Sequence, residues 1–301
     1  MVSRKFGAIA KRVLAAIVMI PIAIDVLYIG SPYVEVLATV VGGLLAWEWA
    51  NMVPSKNPST YVTGYIISLA VAIWGYNFSV ILPVICLTSL FVWGIAAKEK
   101  RRFLLALGVP YISVGIASLI WIYRSFDPTE GYFDPQYNYS FVMTLWFFLM
   151  VWSMDIGGLV VGCNFRGPKL APSISPNKTW SGLIGGILLA VSASIIFMYF
   201  CTEIMEIPAY DFSKFKHIAF SYRPLNMHYV WKVDSQLFFA MAAIVVAILA
   251  QIGDLIESAI KRKVGVKDSS KLIPGHGGVF DRVDGLIFAA PFVYLFFLYL
   301  S

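Results

Sequence analysis

The sequence predicts an all-α polytopic integral membrane protein with about nine transmembrane helices, and three observations predict it. First, 59% of the 301 residues are hydrophobic and only 13% are charged, whereas a soluble domain carries about a quarter charged residues. Second, the apolar residues fall in runs of membrane-crossing length, since a helix needs about 20 residues to cross the bilayer core. Third, the cations follow topology. The net charge of +6 is therefore not a nucleic-acid footprint, and no nucleic-acid partner is expected. Cys86, Cys163 and Cys201 lie apart in mostly apolar surroundings, so neither a disulfide framework nor a zinc site follows from them.

Taken in order, a basic start (Arg4, Lys5, Lys11, Arg12) precedes a first span at roughly 13–30. That run lacks a small-residue cleavage site and reads as a retained span. Further spans are expected at about 33–53, 61–76, 78–97, 103–123 and 140–162, then at 181–201, 236–260 and 285–300. The chain divides into N-terminal membrane helices over 1–140 and a catalytic membrane region over 141–301, with polar segments at 163–180 and 261–284.

With the N-terminus in the cytoplasm, the inner segments hold 18 of the 23 Lys/Arg. This is the bias that the positive-inside rule demands, and it puts the polar segments at the cytoplasmic face. The outer segment 202–235 is rich in Tyr, Phe and Trp and reads as an aromatic belt at the headgroup level. Its His217 and His228 have no expected ligand role.

The chemistry is expected where charge interrupts these runs. An ionisable residue at a helix centre costs about 2.5–3.5 kcal/mol on insertion scales, so Asp25, Glu35, Glu48, Asp155, Asp254 and Glu257 are candidates by default. Asp25, Glu35 and Glu48 also read as interhelical pairs or interfacial residues. Asp155 differs, preceding Gly157-Gly158 near the inner end of the sixth span. On the eighth span Asp254, Ser258, Lys261 and Arg262 recur at helical spacing and share a face. The alternative there is a charge ladder with a snorkelling Lys and Arg.

Residues 251–284 hold six Lys/Arg and four Asp. Lys267-Asp268 leads to Pro274-Gly275-His276-Gly277-Gly278, whose glycines permit positive φ and bare backbone N–H groups to an anion. Asp281 and Asp284 follow at the head of the ninth span. Two such carboxylates, with Asp254, suit Mg²⁺, which takes one or two carboxylates plus substrate phosphates. A third piece, Ser175-Pro176-Asn177-Lys178-Thr179-Trp180, offers hydroxyls and a cation for phosphate before the seventh span, or is a bland basic loop.

At these residues the chain resembles the phosphatidate cytidylyltransferase (CDP-diacylglycerol synthase) family. The matching signature comprises Ser258, Ile260, Lys261, Arg262, Lys267, Asp268, Ser270, Ile273, Pro274, His276, Gly277, Gly278, Val279, Asp281, Arg282 and Asp284. Ser175 to Trp180 and Gly253-Asp254-Leu255 are also similar to the family, with Asn177 standing where many members carry Lys. The resemblance covers roughly 150–291; residues 1–140 match only as apolar spans.

The resemblance implies the conversion of CTP and phosphatidic acid to CDP-diacylglycerol and pyrophosphate, by a homodimeric membrane enzyme; short loops and the absence of a targeting extension point to a bacterial inner membrane. It implies Mg²⁺, with room for a second cation. Asp254, Asp281, Lys261 and Arg282 are the expected catalytic residues, and Asp254, Asp281, Asp284 and Asp155 the expected metal ligands. Asn177, Lys178, Thr179, Ser258, Arg262, Lys267, Asp268, His276, Gly277 and Gly278 are the expected substrate-binding set. The runner-up from another class is a transporter, whose site would sit nearer the midplane between broken helices.

Overall fold

The computed structural model describes residues 19–75, 78–126, 138–204, 235–273 and 277–300. The basic N-terminus, the 127–137 loop, the aromatic segment 205–234 and Pro274-Gly275-His276 lie outside the described residues. Nine helices occur among the described residues: α1 (Met19–Ile29), α2 (Tyr33–Met52), α3 (Pro58–Trp74), α4 (Phe78–Ile95), α5 (Arg102–Arg124), α6 (Tyr139–Phe165), α7 (Trp180–Tyr199), α8 (Ser235–Val264) and α9 (Phe280–Leu300). In a bilayer core a backbone must satisfy its own polar groups, which a helix does within one segment. Five of these helices are long and apolar enough to cross a membrane: α2, α5, α6, α8, and α7 with the π-turn that follows it. Helices α1 and α3 are apolar but shorter.

One segment departs from an all-helical chain. Residues 163–180, expected as a loop, contain a two-stranded antiparallel hairpin, β1 (Lys169–Ala171) and β2 (Ser175–Thr179). Residues Arg166 and Gly167, with φ of 55° and 108°, turn the chain out of α6 toward it. This turn sits where the apolar run ends.

The chain forms two compact units. The first comprises residues 1–120 and 256–290. Its centre is Trp49 of α2, 1% exposed, whose indole Nε1 donates to the Leu104 carbonyl at 2.9 Å. The Trp49 ring stacks on Tyr111 and meets Phe280 edge-on, both at centroid distances of 5.5 Å. Tyr65 of α3 donates its hydroxyl to the Leu105 carbonyl. Aromatic residues with a polar tip are buried here because the tip finds a backbone carbonyl.

The second unit comprises residues 121–255 and 291–301. There α6 and α7 cross at glycines: a Cβ on Gly157 would stand 2.8 Å from the Gly186 Cα. Small residues let the two backbones approach, which drives helix association in lipid. Trp146 of α6 donates from Nε1 to Ser194 Oγ of α7 at 2.8 Å, and Ser194 donates to the Phe239 carbonyl of α8 at 3.1 Å. The opposite faces stay apolar and uncovered, with Leu159 at 67%, Leu188 at 62% and Ile196 at 68% exposure. Apolar faces of that extent suit lipid, not water. The protein is an integral membrane protein.

Candidate active site

Both units carry candidate residues. In the first, the end of α8 supplies Glu257, Ser258, Lys261 and Arg262, and the head of α9 supplies Asp281, Arg282 and Asp284. Glu257 and Lys261 stand one helical turn apart, with Lys261 Nζ 2.5 Å from Glu257 Oε2. The same ammonium lies 2.7 Å from Asp281 Oδ1. A lysine between two acids holds both in place.

Asp281 is further committed. Its Oδ2 accepts from the Gly278 amide at 2.8 Å and from the Ser269 amide at 3.0 Å. Burial pushes its carboxyl upward, but hydrogen bonds involving Glu257, Lys261 and the Gly278 N–H, with the Lys261 charge, outweigh it and hold the group below 3.8. These contacts stabilise the ionised form.

Glu257 and Asp284 offer carboxylate oxygens within 4.8 Å of one another. Glu257 is 1% exposed and its Oε1 has no hydrogen-bond partner among the described residues. A buried carboxylate within reach of a second acid is a donor set fitted to a divalent cation, for which hard oxygen ligands are required. Asp254 lies one turn before Glu257 on the same helix, so register puts it on the same side of α8. The acids at the end of α8 and the head of α9 could thus hold a metal.

The geometry redistributes the expected roles. The oxygens of Asp281, an expected metal ligand, are taken by Lys261 and two backbone amides. Asp155 is exposed on α6. Glu257, which the sequence marked only as an acid in an apolar run, is in the acidic group. The missed signal was spacing: Glu257 sits three residues after Asp254 and four before Lys261.

The glycine loop also differs from expectation. Gly277 has the left-handed φ, 86°, that glycine permits. The amides of Gly278, Val279 and Phe280, however, do not face open space. They donate to the protein's own carboxylates, Asp281 and Glu48. A helix N-terminus attracts anions, and the nearest anions are internal. Arg262, Lys267, Asp268 and Arg282 are exposed, and Ser258 is half-buried. His276 lies outside the described residues.

In the second unit, Lys178 of β2 forms an ion pair with Asp254. Its neighbours are arranged by strand alternation: Asn177 is exposed and Thr179 buried. The Thr179 hydroxyl caps α7, accepting from the Gly182 amide at 3.1 Å, and pairs with Ser181 Oγ at 3.0 Å. An N-cap hydroxyl satisfies a helix-end amide, so Thr179 orients the helix behind Lys178. Of the three, Lys178 is the one placed against an acid.

Residues 10–300 match the Cytidylyltransferase family. The phosphatidate cytidylyltransferase of Haemophilus influenzae is 29% identical over 319 residues, covering 96% of this chain and 98% of that protein. The phosphatidate cytidylyltransferase of Brucella suis is 30% identical over 300 residues, covering 95% and 92%. That of Rickettsia felis is 28% identical, covering 94% and 89%. By the span of that match, and by relatives similar along almost their full length, this chain belongs to the cytidylyltransferase family.

Proposed function

We propose that this protein is a phosphatidate cytidylyltransferase, a nucleotidyltransferase of phospholipid biosynthesis that converts CTP and phosphatidic acid to CDP-diacylglycerol and pyrophosphate. The observation that carries the reading is the full-length likeness to proteins of that name. The side-chain network of residues 257–284 agrees with it. The phosphate oxygen of phosphatidic acid attacks the α-phosphorus of CTP. The bond from that phosphorus to the bridging oxygen breaks, and its electron pair leaves with pyrophosphate. No general base is needed, because a phosphate monoester with a second pKa near 6 is about fully ionised at neutral pH.

Catalysis of such a step is mostly positioning and electrostatic stabilisation. Arg262, Lys267 and Arg282 are the exposed cations suited to the triphosphate and the lipid phosphate, and Lys178 of β2 pairs with Asp254. Lys261 holds Glu257 and Asp281 in register. Asp254, Glu257 and Asp284 would hold a divalent metal, with Asp281 beside them; such an ion, Mg²⁺ in our proposal, supplies charge neutralisation for the phosphoryl oxygens and the leaving group. Asn177, Ser258, Asp268, His276, Gly277 and Gly278 complete the proposed substrate-binding set. We also propose nine spans with the N-terminus and the site in the cytoplasm, a homodimer, and residence in a bacterial inner membrane.

The test is pyrophosphate release by purified protein in detergent, with CTP, phosphatidic acid and Mg²⁺ each omitted in turn. Release that requires all three is the expected result. Release with CTP alone would indicate hydrolysis or another acceptor, and no release from folded protein would bring a transporter forward.

A further inference from the structure

Glu48 is an acid in α2, and it is fully buried, at 0% exposure. Its carboxylate meets four donors, all from the polar run more than 200 residues later in the chain. Oε1 accepts from Ser270 Oγ at 2.6 Å and from the Val279 amide at 2.8 Å. Oε2 accepts from Ser269 Oγ at 3.2 Å and from the Phe280 amide at 2.8 Å. Each oxygen thus takes one hydroxyl and one backbone N–H, one donor from each flank of the loop. A carboxylate has the acceptor sites for this, and a carboxamide, with one oxygen and an NH₂ group, does not.

Gly278 completes the fit. A Cβ there would collide first with Ser269 Oγ and would lie 2.6 and 2.7 Å from the two Glu48 oxygens, closer than a real side chain tolerates. This glycine therefore makes room for an internal carboxylate. The first flank has little apolar anchorage, with Lys267, Asp268, Lys271 and Leu272 exposed, whereas Phe280 of the second packs against Trp49 and Tyr111. Polar contacts from Glu48 and Asp281 thus tie the first flank to the head of α9.

We propose that Glu48 is a positioning residue for nucleotidyl transfer, fixing Lys267-Asp268 and the head of α9, with Asp281, Arg282 and Asp284, without touching substrate. The inference rests on the functional reading above. Full-length Glu48→Gln would be compared with wild type by peptide-resolved hydrogen exchange and by pyrophosphate release. Exchange over 266–273 and 277–282 should rise about tenfold or more, because loss of these acceptors opens the loop locally. Turnover, as kcat/KM for CTP, should fall at least about tenfold, while peptides of α3 and α6 keep wild-type protection. Ser270→Ala removes one of the four donors and should show the same local pattern at roughly threefold, which serves if Glu48→Gln fails to fold. Unchanged loop exchange in the variants would overturn the proposal, and so would a uniform rise through α2–α5, which would make Glu48 a folding residue only. Wild-type protein that releases no pyrophosphate would sink the functional reading instead, leaving the exchange comparison intact.

Discussion

Lys261 Nζ lies 2.7 Å from Asp281 Oδ1, bringing together two residues that the sequence separates by a polar run. Asp281 is therefore first a partner of Lys261 and of two loop amides. Replacing it with Asn removes the charge that Lys261 faces and one of two acceptor oxygens. Asp281→Asn should lower turnover more than about 100-fold and, as the loss of a largely buried pair costs about 3–5 kcal/mol, depress the melting temperature as well. Pyrophosphate release and thermal unfolding in detergent, measured together, check this. Wild-type activity in the variant would remove Asp281 from the site.

The same carboxylate has a pH signature. Its folded pKa lies below the ordinary 3.8, so its stabilising contribution is complete above that value and fades as pH falls through the lower, folded one. Between pH 6 and 8 this group should impose no slope on stability. Unfolding profiles of wild type and Asp281→Asn should run parallel there and converge only in acid.

Asp284 should behave differently from Asp281. Its carboxylate lies within 4.8 Å of that of Glu257, so Asp284→Asn should act on metal affinity. The Mg²⁺ concentration for half-maximal release should rise by roughly 10–100-fold or more, with the fold intact. An unchanged Mg²⁺ titration would point to other ligands.

Lys178 pairs with Asp254 from a hairpin whose neighbouring Thr179 caps α7. Lys178→Ala should cut kcat/KM roughly tenfold or more yet shift the melting temperature by only a few degrees, since part-exposed pairs contribute about 0–1 kcal/mol. Thr179→Ala should do the reverse, costing about 1 kcal/mol of helix stability. Equal loss of activity and stability in Lys178→Ala would make it structural.

A control comes from the packing of α6 on α7. Trp146→Phe deletes the donor to Ser194 Oγ but keeps an aromatic ring in the core. The expected loss is small, about 0.6 kcal/mol by analogy with other interhelical bonds in membranes, with pyrophosphate release near wild type. A large loss of activity would mean that the α6–α7 packing reaches the site.

The sequence by itself determined the helical membrane class, because runs of apolar residues leave the backbone no other economical way to bond in lipid. Helices α5, α6 and α8 begin and end within a few residues of their expected bounds. It also determined the chemical class of the site: the spacing of Lys261, Lys267, Asp268, Gly277, Gly278, Asp281 and Asp284 is a local pattern, and local patterns survive without coordinates. Only the tertiary structure decided which acid does what. Glu48 was one of three isolated acids, and nothing near it in sequence names its partners at Ser269, Ser270, Val279 and Phe280. Glu257 stands in the acidic group with Asp284, and Asp281 accepts from a lysine and two amides that lie far from one another in sequence. The physical reason is common to all three. A buried carboxylate takes its role from the donors that reach it, and chain folding, not sequence spacing, brings those donors there.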